Sequence, residues 1–320
     1  MKDRIILAGG SGFLGGALAK HFAALGWEVV ILTRSPKSRT DGVREVSWDA
    51  RTLGDWVREL DGTTAVLNLT GRSVDCRYNP KNRREIMDSR VNSTSVVGEA
   101  IARCDNPPRV WLNSSTATVY KHTFGEPHDE TSREIESAID AKDAFSVEVA
   151  QAWERVLNEA NTPKTRKVAL RTSMVLGLAK NSVFPVLRRL TRFGIGGKQG
   201  SGKQFVSWIH QEDFCRAVEW VVSHEELVGP VNVCAPNPLP NAEMMRLFRE
   251  VCRAPFGLPA TEWMLEIGAF FLRTETELIF KSRRVIPGRL IHSSFQFRFL
   301  FFRDALEDLE HRRKATDGHG

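Results

Sequence analysis

The chain has 320 residues, 42% of them hydrophobic and 26% charged, with a net charge of +6. That size and balance fit a globular protein with a large core, in one big domain or one and a half, and exclude a disordered chain. No apolar run approaches the roughly 20 residues that span a bilayer. The five cysteines are scattered, odd in number and without a Cys-x-x-Cys pair, so neither a disulfide framework nor a zinc site is expected.

Arg4-Ile5-Ile6-Leu7-Ala8 reads as a short buried strand. It begins almost at Met1, which leaves no room for a signal peptide, so a cytoplasmic protein is expected. Gly9-Gly10-Ser11-Gly12-Phe13-Leu14-Gly15 follows at once, and Ala17 to Leu25 reads as a helix closed by Gly26. Strand, glycine turn and helix in that order make a dinucleotide cradle, because the helix N-terminus offers free N–H groups to a pyrophosphate. Gly9, Gly10, Ser11, Gly12, Phe13 and Leu14 are therefore the candidate cofactor residues. The next strand, Glu28 to Thr33, ends in Arg34. An acid there would bond a ribose 2′-hydroxyl, whereas a base suits a 2′-phosphate, so NADP(H) is the expected cofactor, with Ser35, Lys37 or Arg39 as helpers. Basic residues elsewhere are interleaved with acids, which argues against nucleic acid and for a cleft that takes phosphates or an anionic small molecule.

Strand and helix signals continue to alternate. Val43 to Trp48 reads as a strand, Leu53 to Leu60 as a helix, Ala65 to Leu69 as a strand and Asn82 to Cys104 as a long helix. Val110 to Ser115, Phe145 to Ala160 and Lys167 to Arg171 follow as strand, helix and strand. Repeated βα units imply an α/β protein with a Rossmann-type, doubly wound parallel sheet. After Gly177 come a basic helix, Phe184 to Phe193, a glycine-rich loop, Gly194 to Gly202, a strand, Phe205 to His210, and a helix, Glu212 to Ser223. The tail carries helices near Asn241 to Cys252, Thr261 to Leu272 and Asp304 to Leu309, and the alternation of Phe295, Phe297 and Phe299 has the period of a half-buried strand. Residues 1–170 with 205–235 are expected to bind the cofactor, 171–204 with 236–310 to form a smaller α+β substrate domain, and 311–320 to be a flexible tail. Gly197 to Lys203 nearly spells a phosphate loop, but Gln204 replaces the hydroxyl that holds magnesium, and the loop follows a helix. It is expected to lie at the mouth of the cleft.

The chain resembles the extended short-chain dehydrogenase/reductases of the sugar-nucleotide epimerase/dehydratase branch. Within it, the chain looks like the atypical epimerase family proteins that end in a C-terminal module of unknown role. The match rests on Gly9 to Gly15, Ser89-Arg90-Val91, Ser207-Trp208-Ile209-His210 with Asp213, Ala235-Pro236-Asn237-Pro238, Arg284-Val285-Ile286-Pro287 and Phe295-Gln296-Phe297, and reaches to about Leu309. The resemblance implies that Leu69, Thr70 and Gly71 run beside the nicotinamide ribose. It places Ser114 and Ser115 in the segment after the fifth strand and Thr116 where a hydroxyl bonds the substrate oxygen. Such families use a Tyr-x-x-x-Lys pair as proton relay. Here Ser146 and Ala150 take those places, a one-residue shift offers only Val147 and Gln151, and the chain has just two tyrosines, Tyr78 and Tyr120. Arg90 stands where an Asn is usual. Two functions follow: an NADP(H)-dependent oxidoreductase or isomerase with a rebuilt relay drawn from Thr116, Tyr120 and Arg90, then His210, or a cofactor-binding sensor or scaffold without turnover. A small-molecule substrate is expected, in a monomer or homodimer, with no metal.

Overall fold

Four of the five residues in β1 (Arg4–Ala8) are fully buried, because this strand lies inside a sheet that helices cover on both faces. The computed structural model describes residues 2–132, 144–180, 182–260 and 281–317. The remaining strands are β2 (Glu28–Thr33), β3 (Arg44–Ser47), β4 (Ala65–Asn68), β5 (Val110–Thr116), β6 (Arg166–Thr172), β7 (Met174–Leu176), β8 (Phe205–Val206), β9 (Trp208–His210), β10 (Gly229–Val233) and β11 (Leu239–Pro240). Seven of them form one parallel sheet in the order β10-β6-β5-β4-β1-β2-β3, with Ile5 level with Val29 on one side and Ala65 on the other. The order reverses between β1 and β4, so a crevice opens at their carboxyl ends.

The helices among the described residues are α1 (Phe13–Ala24), α2 (Pro80–Ala102), α3 (Ala144–Glu159), α4 (Val183–Arg192), α5 (Gln211–Ser223), α6 (Asn241–Cys252), α7 (Gly288–His292) and α8 (Phe302–Asp317). Strand alternation sends Ile5, Leu7, Val29 and Ile31 to one face, against Leu18 and Phe22 of α1 and Phe214 and Val218 of α5. It sends Ile6, Val30, Val66 and Trp111 to the other, against Val97 and Ile101 of α2 and Leu157 of α3. A separate apolar cluster joins Phe184 of α4, Met245 and Phe248 of α6 and Phe302 and Leu306 of α8. Arg188 of α4 bonds Glu310 of α8 at 2.6 Å across its edge.

The structure departs from the sequence expectation at Leu53 to Leu60, at the phenylalanine run and at the last helix. Leu53 to Leu60 holds only a 3-10 turn, Asp55–Glu59. Phe295, Phe297 and Phe299 form no strand. Phe295 and Phe299 are buried, but the backbone N–H groups of Arg298 and Phe299 donate to the Asp213 carboxylate at 2.8–3.0 Å, so a side chain replaces the neighbouring strand. The last helix runs on through Asp317, where a flexible tail from 311 is expected. The Gly194 to Gly202 loop is tied to the start of α6, where Asn241 accepts from the Gln199 N–H and Ala242 donates to the Gly202 carbonyl. The helix expected at Thr261 to Leu272 lies outside the described residues.

Candidate functional site

The turn after β1 is shaped by close approach. Gly9 has φ +71° and sits against Thr70, and a side chain on Gly15 would place its Cβ 2.2 Å from the Gly10 carbonyl oxygen. Gly12 differs: its φ is −87°, and a Cβ there would meet no atom within 4 Å. Neither backbone conformation nor internal packing demands a glycine at this position. Gly12 instead borders a cavity of about 620 Å³, within the range of small-molecule sites of roughly 300–1,000 Å³.

This cavity lies over the crevice between β1 and β4. Gly9, Ser11 and Gly12 line it from the turn, Leu69, Thr70 and Gly71 from the end of β4, and Arg34 from the end of β2. Thr70 Oγ1 is buried without a hydrogen-bond partner among the described residues. Asn68 holds the β4 end in place, accepting from the Thr70 N–H at 3.0 Å while its Nδ2 donates to Asn113, Thr94 and Ser93. Trp153 Nε1 of α3 donates to Thr94 at 2.9 Å, which ties the sheet to two helices through one buried polar cluster.

A smaller cavity of about 130 Å³ adjoins the first. Arg90, Thr116, Tyr78, Ser146, Phe145 and Trp153 line it. The two share a wall: Arg90 Nη1 donates to the carbonyl oxygens of Arg72 and Ile86, both at 3.1 Å, and its guanidinium lies against Gly71. Arg90 also sits 5.0 Å over the Trp153 ring. It has no carboxylate partner among the described residues, and burial lowers its pKa to about 10. Thr116 Oγ1 contacts Thr118 Oγ1 at 2.7 Å and accepts from the Thr118 N–H, so it caps a turn while facing this cavity.

Residues 5–234 match the NAD dependent epimerase/dehydratase family. The chain belongs to this family. Residues 260–309 match a second family, a domain of unknown function designated DUF1731. The epimerase family protein YfhF of Bacillus subtilis (strain 168) is 30% identical over 321 residues, covering 98% of this chain and 99% of the relative. Among solved structures, the human epimerase family protein SDR39U1, crystallised with NADPH, superposes with a TM-score of 0.82 at 26% identity, covering 96% of this chain and 98% of that one. The nucleoside-diphosphate sugar epimerase of Corynebacterium glutamicum gives 0.75 at 26% identity, covering 97% of this chain and 58% of that one.

Of the site residues expected for this epimerase-family chain, Gly9, Ser11, Gly12, Arg34, Leu69, Thr70 and Gly71 meet at the larger cavity, and Thr116 and Arg90 at the smaller. Gly10, Phe13 and Leu14 do not line it. Gly10 packs on Leu7, and Phe13 and Leu14 turn into the core, Phe13 against Gly177. Ser114 lines neither cavity, and Ser115 points its hydroxyl away to donate to Glu154 at 2.6 Å. Tyr120 is a correction. It is fully buried, its hydroxyl donates to Asn232 and accepts from Arg171, both at 2.9 Å, and burial raises its pKa. Arg171 is in turn fixed on Glu154, so this tyrosine belongs to a sealed network behind the site. His210 is a second correction: its Nδ1 accepts from the Glu212 N–H and caps α5, and burial lowers its pKa to about 4. Arg39 is held by Asp41 and Glu45 rather than turned toward Arg34.

Sequence reasoning missed Arg51 and Trp48, which line the larger cavity from the segment after β3, and it left Tyr78 without a role. The Asp49 carboxylate shapes that segment, accepting from the N–H groups of Thr52 and Arg51, bonds that hold its own pKa at about 2. The usable signal was position alone, since the segment follows β3 beside the strand that carries Arg34. Among the described residues no cluster of three or more His, Cys, Asp or Glu could hold a metal ion, and no helix is long and apolar enough to cross a membrane.

Proposed function

We propose that this epimerase-family chain binds NADP(H) in the larger cavity and acts as an oxidoreductase or isomerase on a small carbonyl or hydroxyl compound held in the smaller one, with a non-standard proton relay. The observation that carries the reading is the shared wall at Gly71, Arg72 and Arg90, which sets a dinucleotide-sized cradle directly beside a small pocket with a hydroxyl and a cation. The cradle fits the cofactor: Gly12 leaves open the space a pyrophosphate would take at the N-terminus of α1, and Arg34 and Arg51 supply positive charge where a 2′-phosphate would lie. The NADPH held by the human relative agrees with this assignment.

When bound, the nicotinamide supplies or accepts hydride. Thr116 Oγ1 then orients the substrate oxygen, and Arg90 stabilises negative charge that develops on it. Phe145 and Trp153 exclude water from the small pocket, which strengthens both interactions.

One observation favours binding without turnover. On α3, Ser146 reaches the cavity but Ala150 is fully buried beside Tyr120, so the relay positions of the fold are chemically inert. Titration of tryptophan fluorescence with NADPH and NADH tests the cofactor reading, because Trp48 lines the cavity. Preference for NADPH, weakened at least about tenfold in Arg34→Ala and in Arg51→Ala, supports it. Equal affinity for the two cofactors, unchanged in both variants, overturns it.

A further inference from the structure

Tyr78 is the tyrosine that reaches the site. It stands immediately before Asn79, whose side chain caps α2 by accepting from the Asn82 N–H at 2.9 Å, so the first turn of a long helix fixes its position. Its ring packs edge-on against Phe145 at 5.1 Å, and it lines the small cavity together with Arg90 and Thr116. Arg90 enters the same cavity from the third turn of α2, with its Nη1 anchored on two carbonyl oxygens and its charge neutralised by no acid among the described residues. Both side chains line this one cavity, so a phenolate at Tyr78 and the Arg90 guanidinium would stabilise each other across it.

We propose, on the basis of the function just given, that Tyr78 is the acid–base residue of this site and Arg90 the cation that holds its phenolate, a pair on α2 that replaces the missing pair on α3. In the reducing direction, the Tyr78 O–H gives its proton to the substrate's carbonyl oxygen as the carbonyl carbon takes hydride from a reduced nicotinamide dinucleotide. The C=O π pair becomes the new O–H bond, the products are an alcohol and the oxidised dinucleotide, and the Tyr78 phenolate recovers a proton from water. Arg90 plays the part that lysine plays in the usual pair, and with a pKa of about 10 it carries the positive charge that holds the phenolate at neutral pH.

The charged groups around this cavity, among the described residues, are few. Arg90 and Arg83 come from α2, with Glu85 paired to Arg72, and Asp75 and Arg77 lie in the segment before the helix. The lining residues of α3 and of the β5 end, Phe145, Ser146, Val149, Trp153, Thr116 and Thr118, are uncharged. Arg83 lies over the outer side of Phe145 and bonds the Tyr78 carbonyl, so it is the natural control.

The chain has only two tyrosines, so each can be followed by the ring Cζ resonance of ¹³C-labelled tyrosine in the full chain as pH rises. Tyr78→Phe assigns the signals. The expected result is a Tyr78 midpoint at least about one pH unit below the ordinary value of about 10. Arg90→Gln should raise that midpoint by about a unit or more, Arg90→Lys should restore most of the shift, and Arg83→Gln should change it little. A wild-type Tyr78 midpoint at or above about 10 overturns the pairing whether or not the Arg90 variants fold. A midpoint that does not move in folded Arg90→Gln overturns it as well. NADPH quenching on the same samples reports separately on the cofactor assignment: intact binding with an unshifted Tyr78 sinks only the relay, and a shifted Tyr78 without binding sinks only the cofactor reading.

Discussion

Gly12 and Gly15 lie three residues apart in one turn, yet they make opposite predictions for the same substitution. Alanine at Gly12 adds a methyl group that meets no protein atom within 4 Å, at φ −87°, a conformation open to any residue. Gly12→Ala should therefore leave stability within about 0.5 kcal/mol of wild type. Its methyl group does project toward the space assigned to the pyrophosphate. Loss of one charge-assisted amide–phosphate bond, about 1.5–3 kcal/mol, would weaken NADPH binding roughly ten- to hundredfold. Alanine at Gly15 puts its Cβ 2.2 Å from the backbone oxygen of Gly10, and backbone cannot yield as a flexible side chain does. Gly15→Ala should cost at least about 1–3 kcal/mol of stability. Urea unfolding of both variants, beside NADPH titration of tryptophan fluorescence, separates the two effects. Gly12→Ala binding NADPH within twofold of wild type would refute the assignment of that space to the cofactor, and an undisturbed Gly15→Ala would refute the packing argument.

Two further outcomes follow from side chains the structure removes from the chemistry. Tyr120→Phe leaves Asn232 Oδ1 and Arg171 Nη1 short of a buried partner, so urea unfolding should register a loss of about 1–3 kcal/mol, with NADPH affinity unchanged; a loss of affinity without loss of stability would return Tyr120 to the site. His210 is neutral in the folded chain, its pKa lowered by burial from 6.5 to about 4 despite Asp308 3.3 Å away. The unfolded chain therefore binds more protons between these values. Stability from this group is fully present above about pH 6.5 and falls as pH drops toward 4, by on the order of 3 kcal/mol. Denaturation at pH 7, 5.5 and 4.5 should show a steeper acid loss in wild type than in His210→Asn, and equal slopes would contradict it.

The βα alternation was legible because buried parallel strands are written as continuous apolar runs, and the cradle because β1, three glycines and α1 occupy one local stretch. The segment carrying Arg51 was not, since its closeness to Arg34 depends on β2 and β3 lying side by side. Phe295, Phe297 and Phe299 misled for a related reason: period two signals a strand only when a second backbone supplies the acceptors, and here the Asp213 carboxylate supplies them. Tyr120 misled because its sequence neighbours match a substrate loop, whereas its burial is decided by Arg171 and Asn232, distant in sequence. Tyr78 was visible only as one of two tyrosines, and its place beside Arg90 needed the curl of the segment that leads into α2.

The network around Asn232 also sets a timetable. Asn232 Nδ2 donates to the Ile286 carbonyl at 3.0 Å, and Ser207 Oγ donates to the Arg283 and Val285 carbonyls. Val285, fully buried, bridges to His128 on the other side. On a ribosome the sheet strands emerge first, but these groups find their acceptors only when the segment near residue 285 leaves the exit tunnel, so the edge strand β10 waits unsealed while the last part of the chain is made. A nascent chain paused before that point should be open to proteolysis around Gly229–Val233 and closed once the segment is released.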